Sequence, residues 1–180
     1  MLQHPYHLQH GKIKNFFDKE KLSKIVNVFD TFERSYHEYQ DTSCRGVAPG
    51  HQAMPWVKKL ILDPIFEKFK GDIKPFFVML LDCDTPFGIH QDHQPLKENQ
   101  TGHHYLTFLI PYSVDNNVNL VNEASTIIYD KNGDDFSLRE ELAWETGDLL
   151  WWDSSCWHSS NDFKSKHFST KQALVIQTYV

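Results

Sequence analysis

Arginine is scarce in this chain of 180 residues, with three copies at positions 34, 45 and 139. Acidic residues outnumber lysine plus arginine by 24 to 18, so the formal net charge is −6. Such a chain has no overall positive field to attract the phosphates of nucleic acid. We therefore do not expect nucleic acid as a partner.

Cysteine is also sparse, and Cys44, Cys83 and Cys156 show no CxxC spacing. An odd number of isolated cysteines argues against a disulfide framework and against a structural zinc site. No run of about 18 apolar residues occurs, and the segment MLQHPYHLQHGKIK lacks the apolar core of a signal peptide. GxSxG and glycine-rich phosphate motifs are missing as well. We expect a cytoplasmic protein without a membrane segment.

Apolar residues make up 40% of the chain and aromatic residues 14%, enough to build a folded core. The length suits one domain, and no repeat or linker divides it, so residues 1–180 are predicted to form a single domain. The part of the chain before Asp72 favours helices. One amphipathic pattern runs from Asp18, a suitable helix cap, to Tyr39, and a second covers residues 55–69, where Pro64 should kink or split the helix.

After Gly71 the pattern changes to short β-branched and aromatic runs separated by turn signals such as DNN and DKNGDD. The predicted strands cover residues 76–83, 105–112, 125–130, 147–153 and 173–180. Helices followed by strands, without further helices between the strands, point to a sandwich or jelly roll rather than a parallel sheet. Residues 72–180 are therefore predicted to form a jelly-roll core on the helical support of residues 1–71.

The segment FGIHQDHQP, residues 87–95, places His90 and Asp92 two positions apart. In an extended strand these side chains point to the same side, so both can bind one metal ion. A lone HxD is a weak signal. His158 lies much later in the chain and follows an apolar strand, and jelly-roll strands return to a common mouth. Two histidines and one carboxylate form the facial triad of non-haem Fe(II) oxygenases, which leaves three positions open.

This pattern resembles the Fe(II)/2-oxoglutarate-dependent dioxygenases, including the prolyl-hydroxylase-like members. The family signature is HxD, a distal histidine and then a basic residue on the next strand. Here the matching motifs are His90-Gln91-Asp92, His158 and the segment that starts at Lys171, and the resemblance covers roughly residues 76–180. It implies a cupin-like double-stranded β-helix that binds Fe(II), takes 2-oxoglutarate as cosubstrate and uses O2.

The same resemblance implies that Lys171 holds the distal carboxylate of 2-oxoglutarate, because all three arginines precede His158. Strand alternation also puts Lys171 on one face with Ala173, Val175 and Gln177. Many family members have Arg followed two positions later by Ser, whereas this chain has Lys171 and Ala173. Lys164 and Lys166 are alternatives, although they lie in a polar stretch that we expect to be solvated.

Several other polar and aromatic residues near these motifs have two interpretations each. Tyr105 and Thr107 share a strand face and are predicted to donate hydrogen bonds to the cosubstrate, although packing explains them equally well. His93, His103 and His104 are expected to be surface or supporting groups rather than ligands. Trp151, Trp152 and Trp157 fit either packing or the wall of a substrate pocket.

Taken together, the sequence predicts an Fe(II)- and 2-oxoglutarate-dependent oxygenase, most simply a hydroxylase that releases succinate and CO2. Its substrate would be a small molecule or a peptidyl residue, which the sequence does not name, and the oligomeric state is equally open. Two alternatives remain. A cupin-like metalloenzyme would keep the three ligands without using 2-oxoglutarate, and a jelly-roll binding module would have no catalytic activity.

Overall fold

Ten strands and a short helical layer make up the computed structural model, which describes residues 6–30, 35–39, 42–47, 54–69, 73–92 and 104–179. Seven of the strands share one antiparallel sheet: β1 (His10–Ile13), β2 (Ser35–Tyr39), β3 (Thr42–Val47), β4 (Lys74–Cys83), β5 (His104–Val114), β8 (Leu149–Asp153) and β10 (Lys171–Tyr179). Their spatial order is β1-β8-β5-β10-β4-β3-β2, so the C-terminal strand lies at the centre.

A second, smaller antiparallel sheet contains β6 (Ser125–Asn132), β7 (Asp135–Ala143) and β9 (Trp157–Ser160), in the order β7-β6-β9. A turn joins β6 to β7, and Gly133 occupies it with a φ of +66°, a conformation that glycine adopts without a steric penalty. Beyond β9 the sheet continues through an isolated antiparallel bridge between His158 and His90. The two sheets face each other as the halves of a jelly roll.

The α-helices of the described residues lie early in the chain, as predicted, and two short 3-10 helices, Val118–Glu123 and Phe163–Lys166, lie among the later strands. Helix α1 covers Lys19–Asp30, and the Asp18 carboxylate accepts a hydrogen bond from the Lys21 N–H at 3.0 Å, as an N-cap should. Helix α2 (Met54–Val57) continues through a π-helical segment (Lys58–Leu62) into α3 (Asp63–Lys68). Pro64 has no N–H to donate, and the interruption expected at this proline takes the form of the π segment just before it.

Two apolar clusters separate the layers. The first lies between the helices and the large sheet and includes Leu22, Ile61, Ile65, Phe108 and Ile176. The second lies between the two sheets and includes Leu109, Ile128, Trp144, Leu150 and Ala173. Alternate residues of β5 and β10 face opposite clusters, as the pleat of a strand requires. The odd-numbered residues of β10 from 171 to 177 therefore line the space between the sheets.

The five predicted strands are present, with somewhat different limits. The structure adds strands that the sequence did not predict: β1, β2 and β3 in the part of the chain before Asp72, and β7 and β9 near the C-terminus. The helix predicted from Asp18 to Tyr39 is wrong at its end, because Ser35–Tyr39 form β2 and pair with β3. The short strands β1 and β9 have four residues each, too few to show a clear alternating pattern. Whether residues 1–180 fold as one domain, with helical support up to Gly71 and a jelly-roll core after it, stays a prediction.

Candidate metal centre

His90 and His158 belong to separate stretches of the chain that the small sheet brings side by side. The N–H of each residue donates to the carbonyl of the other, at 2.9 Å in both directions. His158 lies in β9, while His90 lies in the irregular segment that follows β4. This backbone pairing holds the two imidazoles in contact, with ring centroids 4.2 Å apart.

Asp92 completes a cluster of three possible metal ligands. Its Oδ1 lies 3.8 Å from His90 Nε2, and its Oδ2 lies 3.5 Å from His158 Nε2. One ligand atom from each residue falls within 4.8 Å of the others. All three residues are buried, with exposed fractions of 7% or less. The structure thus brings together the three residues that the sequence analysis predicted as ligands.

The hydrogen bonds of the two imidazoles suit them to bind a metal through Nε2. His90 Nδ1 lies 2.8 Å from the Gly88 carbonyl, and His158 Nδ1 lies 3.1 Å from the Cys156 carbonyl. A carbonyl oxygen only accepts, so each Nδ1 carries the proton, and in the neutral ring the lone pair is then on Nε2. This Nδ1–H to carbonyl contact is the usual support for a metal-binding histidine.

The Asp92 carboxylate is held by three donors from the large sheet. Thr107 Oγ1 and Trp152 Nε1 donate to Oδ2 at 2.7 and 2.9 Å, and Gln177 Nε2 donates to Oδ1 at 3.0 Å. Burial disfavours the charged form, but the rings of His158 and His90 and these hydrogen bonds outweigh it, so the pKa of Asp92 is lowered. The residue therefore offers a carboxylate.

For His158, unlike Asp92, burial determines the direction of the pKa shift. It disfavours the imidazolium more than the nearby Asp92 carboxylate stabilises it, so the pKa of His158 is lowered. A neutral imidazole is the form that binds a metal ion. Two imidazoles and one carboxylate, with their donor atoms turned toward one another, fit the ligand set of a non-haem Fe(II) site.

Lys171 begins β10 and projects between the sheets, with only 5% of its surface exposed. Its Nζ lies 4.8 Å from the centre of the Trp144 ring, 5.5 Å from Phe163 and 5.9 Å from Phe87. Among the residues that the structure describes, Nζ has neither a carboxylate partner nor a hydrogen bond. Burial lowers its pKa to about 8, against which the neighbouring Cys83 raises it slightly. A buried ammonium without an anion is costly unless a ligand supplies one.

The alternative lysines lie in a different environment. Lys164 and Lys166 belong to a 3-10 helix, Phe163–Lys166, and both are exposed. Lys166 Nζ donates to the Glu123 carbonyl and to its carboxylate, at 3.3 and 3.4 Å. Neither lysine is buried between the sheets as Lys171 is.

Tyr105 and Thr107, the predicted cosubstrate donors, lie on β5. The Thr107 hydroxyl donates to Asp92, as described above. Tyr105 is buried in the cluster beneath the helices, where its ring lies 6.0 Å from that of Tyr6. Contact of either residue with a cosubstrate stays a prediction. His93 and His103 lie outside the described residues, and for His104 only the backbone position in β5 is described.

Several residues of the site were not assigned a role from the sequence. Gln177 was on the face predicted for Lys171, so alternation along β10 could have found it. The sequence is compatible with Trp152 either in the core or in a pocket wall. In the structure its indole N–H donates a hydrogen bond to Asp92. The rings around Lys171 gave no local signal, because Phe87, Trp144 and Phe163 come together only through the tertiary fold.

No protein-family model and no curated protein matches the sequence. Solved structures do. The non-heme alpha ketoglutarate dependent epimerase SnoN from nogalamycin biosynthesis matches with a TM-score of 0.65 at 12% identity, over 94% of this chain and 78% of that one. An oxidoreductase of the 2OG-Fe(II) oxygenase family from Burkholderia pseudomallei matches with a TM-score of 0.60 at 10% identity, over 94% and 84%.

A third match is a prolyl hydroxylase from Trichoplax adhaerens, solved with a peptide fragment of the hypoxia inducible factor oxygen degradation domain. Its TM-score is 0.55 at 12% identity, over 94% of this chain and 83% of that one.

The chain has the double-stranded β-helix fold of the 2OG-Fe(II) oxygenases. Within the 2OG-Fe(II) oxygenase fold, the His90, Asp92 and His158 cluster lies between the two sheets. Among the described helices, none is long and apolar enough to span a membrane.

Proposed function

We propose that this protein is a non-haem Fe(II)- and 2-oxoglutarate-dependent oxygenase. The observation that carries the proposal is the combination of two features in one jelly roll. One is a buried cluster of two imidazoles and a carboxylate. The other is the buried Lys171 ammonium, which has no anionic partner among the described residues. The first suits the metal, and the second suits an acidic cosubstrate.

His90, Asp92 and His158 would hold the Fe(II). Iron bound there would supply the oxidising chemistry, in which O2 and 2-oxoglutarate become succinate and CO2 and one oxygen atom is left for the substrate. The chain itself contributes a preformed ligand set. The carbonyls of Gly88 and Cys156 fix the two imidazoles, and burial keeps bulk water away from the cluster.

Lys171 would bind the distal carboxylate of 2-oxoglutarate. Its ammonium is already desolvated, so an incoming carboxylate would meet a positive charge that water does not screen. The rings of Trp144, Phe163 and Phe87 fix the position of Nζ and stabilise its charge in the absence of ligand. Lysine binds the carboxylate as a point charge, without the paired hydrogen bonds of an arginine.

The outcome for the substrate is proposed as hydroxylation, of a small molecule or a peptidyl residue. The prolyl hydroxylase with its bound peptide supports a peptidyl substrate, and SnoN supports a different outcome, because it is an epimerase. Both reactions act on a C–H bond of the substrate. Hydroxylation adds an oxygen atom to the product and epimerisation does not, so the mass of the product distinguishes the two.

The experiment is to load the purified protein with Fe(II) and measure O2 uptake and succinate formation from 2-oxoglutarate, over a panel of peptides and small metabolites. We expect succinate to form only with iron present and to be lost in His158→Ala. Succinate formation that persists undiminished in His158→Ala would rule out the proposed site. Iron binding without any 2-oxoglutarate turnover would favour the cupin-like metalloenzyme.

A further inference from the structure

The two oxygens of the Asp92 carboxylate do not share its hydrogen bonds equally. Oδ2 accepts from Thr107 Oγ1 and from Trp152 Nε1, at 2.7 and 2.9 Å. Oδ1 accepts only from Gln177 Nε2 among the described residues, at 3.0 Å. The donors come from three neighbouring strands of the large sheet, β5, β8 and β10. A carboxylate has about four lone-pair positions in all, two on each oxygen. Both positions on Oδ2 are therefore filled, and one position on Oδ1 remains.

The two donors to Oδ2 have little freedom to move away. Thr107 and Trp152 are 1% and 2% exposed, and each is fixed in a central strand of the large sheet. The Thr107 hydroxyl has one hydrogen, which points to Asp92 because a carboxylate only accepts. The Ser154 hydroxyl, 3.5 Å from Thr107 Oγ1, can then only donate to it, which favours the same orientation.

We propose that Thr107 and Trp152 are positioning residues that restrict Asp92 to metal coordination through Oδ1 alone. The inference rests on the proposed function, because it concerns how this chain presents Asp92 to the ion. With two imidazoles and one carboxylate oxygen bound, an octahedral ion keeps three positions. A keto acid that bound through two atoms would take two of them, which would leave the third for O2. A carboxylate that bound through both oxygens would occupy one of those positions.

A purely structural role for the two donors predicts something different. Any buried carboxylate needs hydrogen bonds, and two donors with a purely structural role would affect only the stability of the fold. The positioning role predicts that loss of either Oδ2 donor changes how the carboxylate binds a metal and weakens the binding of 2-oxoglutarate. Loss of the Oδ1 donor, Gln177, would leave the two bonds to Oδ2 in place.

The chain offers closely matched variants for this test. Thr107→Val keeps the shape of the side chain and removes the hydroxyl, whereas Thr107→Ser keeps the hydroxyl. Trp152→Phe removes the indole N–H. Gln177→Met removes the donor to Oδ1 at similar length. If Trp152→Phe does not fold, the nearly isosteric Thr107→Val carries the test alone, with thermal unfolding as the check that each variant is native.

The probe is Co(II) in place of iron, added to each purified variant without O2. Infrared difference spectra of metal binding report the coordination of the carboxylate, since the two carboxylate stretching bands lie farther apart for one-oxygen than for two-oxygen binding. Titration of the Co(II) protein with 2-oxoglutarate, followed by its visible absorption, gives the affinity for the cosubstrate. Neither readout depends on turnover.

Wild type and Thr107→Ser should show one-oxygen binding and similar affinity for 2-oxoglutarate, and Gln177→Met, which keeps both bonds to Oδ2, should still show one-oxygen binding. Thr107→Val and Trp152→Phe should shift toward two-oxygen binding and bind 2-oxoglutarate about tenfold more weakly. Unchanged spectra and affinity in Thr107→Val would overturn the inference while leaving the metal site intact, and so would two-oxygen binding in the wild type. A wild type that binds neither Co(II) nor Fe(II) would overturn the proposed function as well.

Discussion

The backbones of His90 and His158 exchange two hydrogen bonds of 2.9 Å each, which extends the small sheet by one antiparallel bridge. This pairing brings two imidazoles from distant parts of the chain into direct contact. Asp92 follows His90 by two positions and faces both rings. The cluster of candidate metal ligands is thus a consequence of strand pairing, and the same fold places Lys171 between the sheets.

Replacement of His158 by alanine should abolish tight metal binding, because it leaves one imidazole and one carboxylate. Metal affinity should fall by about 100-fold or more, a larger loss than that of a supporting residue. Isothermal titration of the metal-free protein with Fe(II) under anaerobic conditions measures this. His167→Asn is the matched control, since His167 is exposed and adopts a φ of +68° that asparagine tolerates. Equal affinities in the two variants would exclude His158 as a ligand.

Lys171→Met should separate stability from cosubstrate binding. The substitution removes a buried ammonium that has no anionic partner among the described residues, and it keeps an apolar side chain of similar length. We expect the ligand-free variant to be about 1–3 kcal/mol more stable than wild type, and to lose the stabilisation that 2-oxoglutarate gives to the metal-loaded protein. Chemical denaturation with and without ligand gives both values.

Lys164→Met is the control for this experiment, because it removes an exposed lysine from the alternative segment. It should leave both stability and ligand binding close to wild type. If Lys164→Met lost the response to 2-oxoglutarate and Lys171→Met retained it, the lysine that binds the distal carboxylate would lie in the polar segment before β10.

Stability should also depend on pH through Lys171. Burial lowers its pKa from 10.5 to about 8 in the folded protein. Below pH 8 the lysine is protonated in both folded and unfolded states, so the full cost of burying the charge is present. Between about pH 8 and 10.5 the unfolded state binds more protons, and stability therefore rises with pH. The stability of wild type relative to Lys171→Met should increase by about 2–3 kcal/mol from pH 7 to pH 10. A constant difference would show that the ammonium is not desolvated.

The helical layer should unfold together with the sheets. Ile65 is fully buried and packs in the same cluster as Phe108 and Ile176 of the large sheet. Ile65→Ala should cost about 2–5 kcal/mol, and circular dichroism and tryptophan fluorescence should report one common transition. The exposed substitution Leu138→Ala, on β7, should cost far less. Two separate transitions would contradict the prediction of a single domain.

The three residues of the cluster were predictable because each stands in a recognisable pattern. His90 and Asp92 have the HxD spacing, and His158 comes after an apolar run among small polar residues, so residue type and spacing singled them out. The other residues of the site are brought together by tertiary packing, which leaves no local signal in the sequence. The aromatic rings around Lys171 come from three separate segments, and the donor Trp152 differs from its neighbour Trp151 only in the face of β8 that it occupies. Periodicity along so short a strand could not assign those faces.

Fe(II) and 2-oxoglutarate should bind together between the two sheets, and an anaerobic titration measures this. Fe(II) and then 2-oxoglutarate are added anaerobically to wild type and to Lys171→Met, and the visible absorption band that iron and a bound keto acid share is recorded. We predict a saturable band in the wild type that is strongly weakened in Lys171→Met. Iron binding without a band at any 2-oxoglutarate concentration would contradict the account.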